Sequence, residues 1–220
     1  MKRNKETWQT CSTYTYQKRR GYLFVKRLCD IVFSFLFIIC FCWLFLIFII
    51  LSLLLQGPRV FYCQERYGKN GVVFKVIKFR TMKNSHLSPK ESLSKDEYAE
   101  YLKNQKLKND PRVTRLGKFY RKFSIDELPQ IFNVLFGQMS FVGPRPFIMD
   151  ELEQHPEHRD LLLKVRPGLT GFWATHGRSD VDPLGRIKME LFYVSHASLG
   201  LDIKIFFKTF VVAFRGKGAQ

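Results

Sequence analysis

From Ile31 to Leu55 the chain runs 25 residues without a charge, and Ser34 and Ser52 are its only hydroxyl side chains. A run of that length predicts a membrane helix, because ~20 helical residues cross the hydrocarbon core of a bilayer. A buried helix in a soluble protein is rarely apolar on every side for so long. Beyond the turn Gln56-Gly57-Pro58, Val60 to Cys63 and Val72 to Phe79 read as short strands joined through Gly68-Lys69-Asn70-Gly71. Phe74 and Val76 alternate with Lys75 and Lys78 in the second of them. Residues 84–110 are charged and helix-prone, with Ser94 capping, Glu97 three residues later, and Tyr98, Tyr101 and Leu102 as a narrow apolar stripe. A short apolar helix is predicted soon after Ser124, and an amphipathic one over 147–165. Arg166 to Trp173 reads as a glycine-punctuated turn with an aromatic anchor, and Gly177-Arg178-Ser179-Asp180 as a polar loop suited to approaching a ligand. Arg186 to Ser195 reads as a helix. Leu201 to Phe214 sets Phe, Val and Ile against Lys204 and Lys208, a pattern suited to a helix lying in a membrane interface.

Charge changes the picture in two ways. The 36 Lys and Arg against 19 Asp and Glu give a net charge of +17, which calls for a polyanionic partner: nucleic acid, an acidic bilayer or phosphorylated small molecules. The basic residues also flank the apolar run on both sides. Lys2, Arg3, Lys5, Lys18, Arg19, Arg20, Lys26 and Arg27 precede it; Arg59, Arg66, Lys69, Lys75, Lys78 and Arg80 follow. By the positive-inside rule neither flank favours translocation, which points to a re-entrant hairpin. The absence of Pro or Gly between Ile31 and Leu55 points to an unbroken helix instead. Asp30, at the mouth of the run, is costly in lipid and belongs near the interface. The five cysteines have neither disulfide-framework nor zinc spacing, which fits a reduced compartment. His155 and His158 read as surface residues.

The candidate chemistry lies in Ser124–Pro146, SIDELPQIFNVLFGQMSFVGPRP. Asp126 and Glu127 are adjacent carboxylates, and Arg112, Arg115, Lys118, Arg121 and Lys122 lie just upstream. Neighbouring carboxylates point in different directions, so one can hold a metal while the other attacks or takes a proton. The same pair also suits a helix N-terminus, and Ser124 followed by Glu127 reads as a capping box. The basic side chains at the end of the second strand could meet phosphate or simply face solvent. No helix-turn-helix or RNA-binding motif accompanies the basic charge, and a nucleic-acid face would avoid Asp126 and Glu127. A non-catalytic scaffold of a polysaccharide assembly is the competing class; the intact acidic pair and Pro144-Arg145-Pro146 argue against it.

Taken in order, KRLCDIV, QERYGKNG, KFRTM, DPRVTRLGKFYRKFSIDELPQIFNVLFGQMSFVGPRP, RPGLTGFW, GRSD and YVSHASLGLDIKIFFKT closely resemble the bacterial sugar transferases, the monotopic polyprenyl-phosphate phosphoglycosyl transferases. The resemblance covers about residues 24 to 214 and is to the small form, without the multi-span N-terminal region of larger members. It implies transfer of a sugar phosphate from a nucleotide diphospho-sugar, usually a UDP-sugar, to undecaprenyl phosphate, with release of UMP. It gives Asp126 the role of nucleophile in a covalent phosphosugar intermediate and Glu127 that of Mg²⁺ ligand. Arg121 and Arg145 become phosphate-holding residues, with Lys78 a further candidate. The sequence departs from the family at two places. Cys42-Trp43 stands where members often have a helix-breaking Ser-Pro, and Glu190 stands where an Asp precedes the Tyr-Val pair, as a candidate for catalytic support.

The expected fold is therefore a membrane-associated α/β protein. It has a basic N-terminal arm (1–27), a membrane helix or re-entrant hairpin (28–56) and one small cytosolic catalytic domain (57–220) with interfacial amphipathic helices. The expected partners are a UDP-sugar, undecaprenyl phosphate and membrane lipids, with no nucleic acid; a homodimer is left open. The expected place is the cytoplasmic face of the bacterial inner membrane, in exopolysaccharide, capsule, O-antigen or glycoprotein synthesis.

Overall fold

A computed structural model describes residues 14–83, 89–95, 97–98, 107, 110–177 and 181–214. The helices are α1 (Arg20–Gln56), α2 (Pro89–Ser92), α3 (Arg115–Lys122), α4 (Gln130–Leu135), α5 (Met149–Glu153), α6 (Pro156–Leu162), α7 (Phe172–His176), α8 (Pro183–His196) and α9 (Leu199–Phe214). The strands are β1 (Phe61–Tyr67), β2 (Val73–Phe79), β3 (Ser140–Val142) and β4 (Gly168–Thr170); β1 pairs with β2 and β3 with β4. The Tyr101–Leu102 part of the predicted stripe and residues 178–180 of the polar loop lie outside the described residues.

α1 is a single helix of 37 residues with no turn in it, as the lack of Pro and Gly in its apolar part dictates. It is long and apolar enough to cross a membrane, and little of its apolar stretch is buried in protein. It begins at Arg20, well before the apolar run, so Lys26 and Arg27 belong to the helix and not to an arm.

The chain divides into two compact units, and α1, β1 and β2 each run through the division. One unit comprises Met1–Cys40, Gln64–Val76 and Gln130–Ala219. Here the polar residues of α1 find protein partners. Lys26 and Tyr22 donate to Asp202 Oδ2 at 2.6 and 2.8 Å, and Tyr193 donates to Asp202 Oδ1 at 2.7 Å. Asp30, which the sequence places at the mouth of the apolar run, is buried and accepts from Ser140 Oγ and the Phe141 amide. Arg27 donates to the Val134 and Leu135 carbonyls at 2.7 Å, and Arg166 to that of Gly137. The last carbonyls of α4 have no helical partner, and cations also suit the negative end of its dipole.

The core of this unit gathers Val142, Phe172, Met189, Tyr193, Val194 and Ile205. β3 and β4 form a parallel pair, Ser140 opposite Gly168 and Val142 opposite Thr170. The segment read as a glycine turn is thus a strand in part. The amphipathic helix expected over 147–165 is two helices, because Pro156 cannot continue α5 and starts α6 instead. On α9, Asp202, Ile205 and Thr209 face inward, and Thr209 shares a hydrogen bond with Thr170 at 2.7 Å. Ile203, Phe206, Phe207, Phe210 and Val211 are left exposed.

The other unit comprises Phe41–Cys63 and Ile77–Pro129, with Gln220. Its centre is Tyr120, fully buried, whose ring packs edge-on to Phe48 and against Phe79. The Tyr120 hydroxyl donates to the Phe48 carbonyl at 2.9 Å and lies 3.0 Å from Ser52 Oγ. One of the two hydroxyls in the apolar run is thereby accounted for. Thr114 caps α3, its Oγ1 accepting from the Gly117 amide at 2.8 Å. Gly117 is a matter of space: a Cβ there would run into the Thr81 carbonyl.

Candidate active site

The acidic pair is presented by a backbone turn that propensity alone would not choose. α3 ends with Arg121 and Lys122, cations suited to a helix C-terminus. Ser124 then adopts φ 55°, the left-handed region that few non-glycine residues enter. The chain passes into a single 3₁₀ turn, Ile125–Glu127, whose Ile125 is buried while Asp126 is half-buried and Glu127 exposed. The predicted capping box does not form: in its left-handed conformation Ser124 makes no side-chain cap. A strained residue next to two carboxylates is a common mark of a functional turn.

Four of the candidate residues meet in this unit. Lys78, near the end of β2, donates to Glu127 Oε1 at 2.8 Å. Arg121 Nε donates to Thr81 Oγ1 at 3.1 Å, which orients the guanidinium. Burial pushes the Asp126 carboxyl above its usual range and the Glu127 charge adds to this, while Lys78 and Arg121 pull it back. The arrangement is therefore an acidic pair with unequal environments, flanked by two cations. Such a pair can divide its labour between a less hydrated nucleophile and a hydrated ligand.

Magnesium is a hard cation that keeps several waters, using one or two carboxylates and substrate phosphates for the rest. Glu127 is the exposed carboxylate of the pair, and a metal there would share it with the Lys78 ammonium, which lies 2.8 Å from Oε1. Among the described residues no three His, Cys, Asp or Glu side chains converge as ligands.

The other two candidates meet each other in the other unit. Glu190 on α8 is 1% exposed and its Oε1 accepts from the Arg145 amide at 3.2 Å. Its Oε2 has no hydrogen-bond partner among the described residues. Burial pushes the Glu190 carboxyl up to about 7, against the Arg145 hydrogen bond and the charges of Arg186 and Arg145. The Arg145 guanidinium lies 6.0 Å from the centroid of the Trp173 ring, within cation–π range. Arg186 lies 5.6 Å from the same centroid and donates to Glu151 at 2.8 Å. Burial works to raise the Glu151 carboxyl, but Arg145 and then Arg186 hold it below its usual range.

Sequence reasoning missed Arg186 and Glu151. The signal for Arg186 was present: it precedes Glu190 by four residues, and such positions share a helix face.

Glu190 makes a direct prediction. Its folded-state value, about 7, lies above its ordinary value of 4.5, so the folded protein holds the proton more tightly. That contribution to stability is complete at low pH and is lost as pH rises through about 7. Glu190→Gln carries no such dependence. Thermal melts should show the variant gaining on the wild type by up to about 3 kcal/mol between about pH 5 and pH 8. Parallel pH profiles for the two proteins would contradict a buried neutral carboxyl.

The family model described as bacterial sugar transferase matches residues 21–216. The undecaprenyl-phosphate galactose phosphotransferase of Salmonella typhimurium is 44% identical over 204 residues, 91% of this chain and 43% of that protein. The UDP-glucose:undecaprenyl-phosphate glucose-1-phosphate transferase of Klebsiella pneumoniae is 40% identical over 88% of this chain and 41% of its own length. The exopolysaccharide production protein ExoY of Sinorhizobium fredii is 40% identical over 88% of this chain and 87% of its own length. The chain thus spans less than half of the first two relatives and most of the third.

Proposed function

The chain belongs to the bacterial sugar transferase family, and from that premise we propose that it transfers a sugar 1-phosphate from a UDP-sugar to undecaprenyl phosphate, releasing UMP. The observation that carries this reading is the half-buried Asp126 beside an exposed Glu127, with Lys78 and Arg121 acting on its charge. The relatives' names support it, since two act on undecaprenyl phosphate and one of these takes UDP-glucose.

Asp126 is the nucleophile. Its carboxylate oxygen bonds to the sugar-bearing phosphorus, the bond from that phosphorus to the UMP oxygen breaks, and UMP leaves with the bonding pair. An oxygen of undecaprenyl phosphate then attacks the same phosphorus, the bond to Asp126 breaks, and the carboxylate is restored. Dividing the transfer in two means the two substrates need not be bound together. Partial burial strips water from the attacking oxygen, and Lys78 and Arg121 stabilise its ionised form. Glu127 would hold Mg²⁺, which supplies neutralisation of phosphate charge when bound. Arg145 holds a substrate phosphate, and Glu190 is a positioning residue that fixes the Pro144-Arg145-Pro146 backbone through the Arg145 amide.

The acceptor cannot leave the bilayer, which is why such an enzyme needs an anchor. α1 and the exposed aromatic face of α9 provide apolar surface for one. Basic flanks on both sides of the apolar run favour keeping both on the cytoplasmic side of the inner membrane, which the unbroken α1 allows only by entering the bilayer without crossing it.

The test is UMP release by the full chain in detergent with a panel of UDP-sugars, undecaprenyl phosphate and Mg²⁺. Release that requires the lipid is the expected result, and the donor that works names the sugar. Release equally fast without any lipid, or from no donor at all, would reject the transferase reading.

A further inference from the structure

The indole of Trp173 collects two guanidiniums, of which the reaction above uses only that of Arg145. Arg145 and Arg186 both lie over its ring, at 6.0 and 5.6 Å. Arg186 is fixed from outside by Glu151, at 2.8 Å, and also lies 5.8 Å from the Phe147 ring. Yet Arg186 Nε is buried with no acceptor among the described residues, and so is Trp173 Nε1. Folded proteins seldom leave buried donors unmatched, since each costs as much as a lost hydrogen bond. Two such donors, beside a guanidinium whose main-chain amide is pinned by Glu190, define what is missing: an acceptor with several oxygens.

The charges agree. Arg145 and Arg186 face the carboxylate of Glu151, held in its ionised form, while burial favours the neutral form of Glu190. The cluster thus carries an excess positive charge in a half-buried place, which favours an anion over water. Planar guanidinium forks match the oxygens of a phosphate in pairs, and an aromatic face keeps such forks flat and oriented.

We infer that Arg186 and Trp173, together with Arg145, form a subsite for a substrate phosphate, with Arg186 a phosphate-binding residue and Trp173 both a donor and the platform for the two guanidiniums. This rests on the proposed transferase reaction for the identity of the substrate. The phosphate belongs to the UDP-sugar or to undecaprenyl phosphate, and kinetics separate the two.

The test compares wild type with Arg186→Gln, Arg186→Lys and Trp173→Phe as full chains in detergent, each checked by thermal melting. UDP alone is titrated calorimetrically, and KM is measured separately for the UDP-sugar and for undecaprenyl phosphate. Arg186→Gln should raise one of the two KM values by about tenfold or more, as expected for losing a charge-assisted phosphate contact, with a smaller change in kcat. If that value is the donor's, UDP affinity should fall by a similar factor. Arg186→Lys should recover part of the loss, because the charge stays and the fork does not, and Trp173→Phe should lose less. Both KM values and UDP affinity unchanged in Arg186→Gln would overturn the subsite, as would a loss confined to melting temperature and kcat. Should the wild type release no UMP from any donor, the reaction itself fails. UDP binding that Arg186→Gln abolishes would then still support the subsite, and binding of both UDP and undecaprenyl phosphate that it leaves intact would still reject it.

Discussion

Asp126→Asn should abolish transfer, by about a thousandfold or more, and should also make the protein more heat-stable at neutral pH. The first effect follows from removing the attacking atom: an amide cannot form the acyl-phosphate bond, and losing a nucleophile typically costs several orders of magnitude in kcat. The second follows from burial. The Asp126 carboxyl titrates above its ordinary range because it is desolvated and stands beside Glu127. A raised folded-state pKa contributes stability that is complete at low pH and lost as pH rises through that value, so ionised Asp126 burdens the folded state at neutral pH. A neutral Asn relieves it, the usual trade between stability and a functional charge. UMP release and melting temperature followed over a pH series check both halves. The stability gap should close as pH falls below the ordinary carboxylate range. Glu127→Gln removes a hydrated, exposed carboxylate instead, so it should weaken metal-dependent activity with little gain in stability. Full activity in both variants would sink the assignment of the acidic pair.

Gly168→Ala should be the most damaging small substitution in its unit, costing about 3 kcal/mol or more in stability. The reason is backbone against backbone. A Cβ at Gly168 would overlap the Gly143 amide and the Thr170 carbonyl, neither of which is a flexible side-chain end. Gly143 and Gly171 are also confined, Gly168 and Gly171 each lying close against the Gly143 main chain beside the β3–β4 pair. The same strands carry function: the Gly168 amide donates to the Pro144 carbonyl at 2.8 Å, next to Arg145. The variant should therefore also raise KM for whichever substrate Arg145 holds. Denaturant unfolding measures the first effect, and steady-state kinetics on any folded fraction the second. A loss under about 1 kcal/mol would mean the strands can part without consequence.

What the sequence allowed to be read was local and strongly patterned. Twenty-five uncharged residues point to a long apolar helix, but the flanking charge and the missing Pro and Gly point opposite ways on a break, and α1 has none. The glycine loop between β-branched and aromatic runs points to β1 and β2. Lys78, Arg121, Asp126 and Glu127 are legible as candidates from their motifs, and they do meet. Non-local features were harder. β3 and β4 have three residues each, too few to show a period of two, and a parallel pair leaves no hairpin signal between its strands. The helix expected over 147–165 failed on Pro156, whose breaking effect outweighed the amphipathic pattern. Ser124 was read by its preference for capping, but tertiary packing sends it into the left-handed region. Lys26 and Arg27 read as part of a basic arm, yet their partners, Asp202 and the α4 carbonyls, are far away in the chain. Arg145 and Glu190 were each singled out, but 45 residues separate them and nothing in their spacing foretold the hydrogen bond.

The most direct measurement is intact-mass spectrometry of the purified chain incubated with its UDP-sugar donor and Mg²⁺, with the lipid acceptor left out. The wild type should gain the mass of one sugar phosphate, lose it on addition of undecaprenyl phosphate, and Asp126→Asn should gain nothing. A wild type that turns over with lipid yet never carries the adduct, or an adduct that persists in Asp126→Asn, would contradict a covalent intermediate on Asp126.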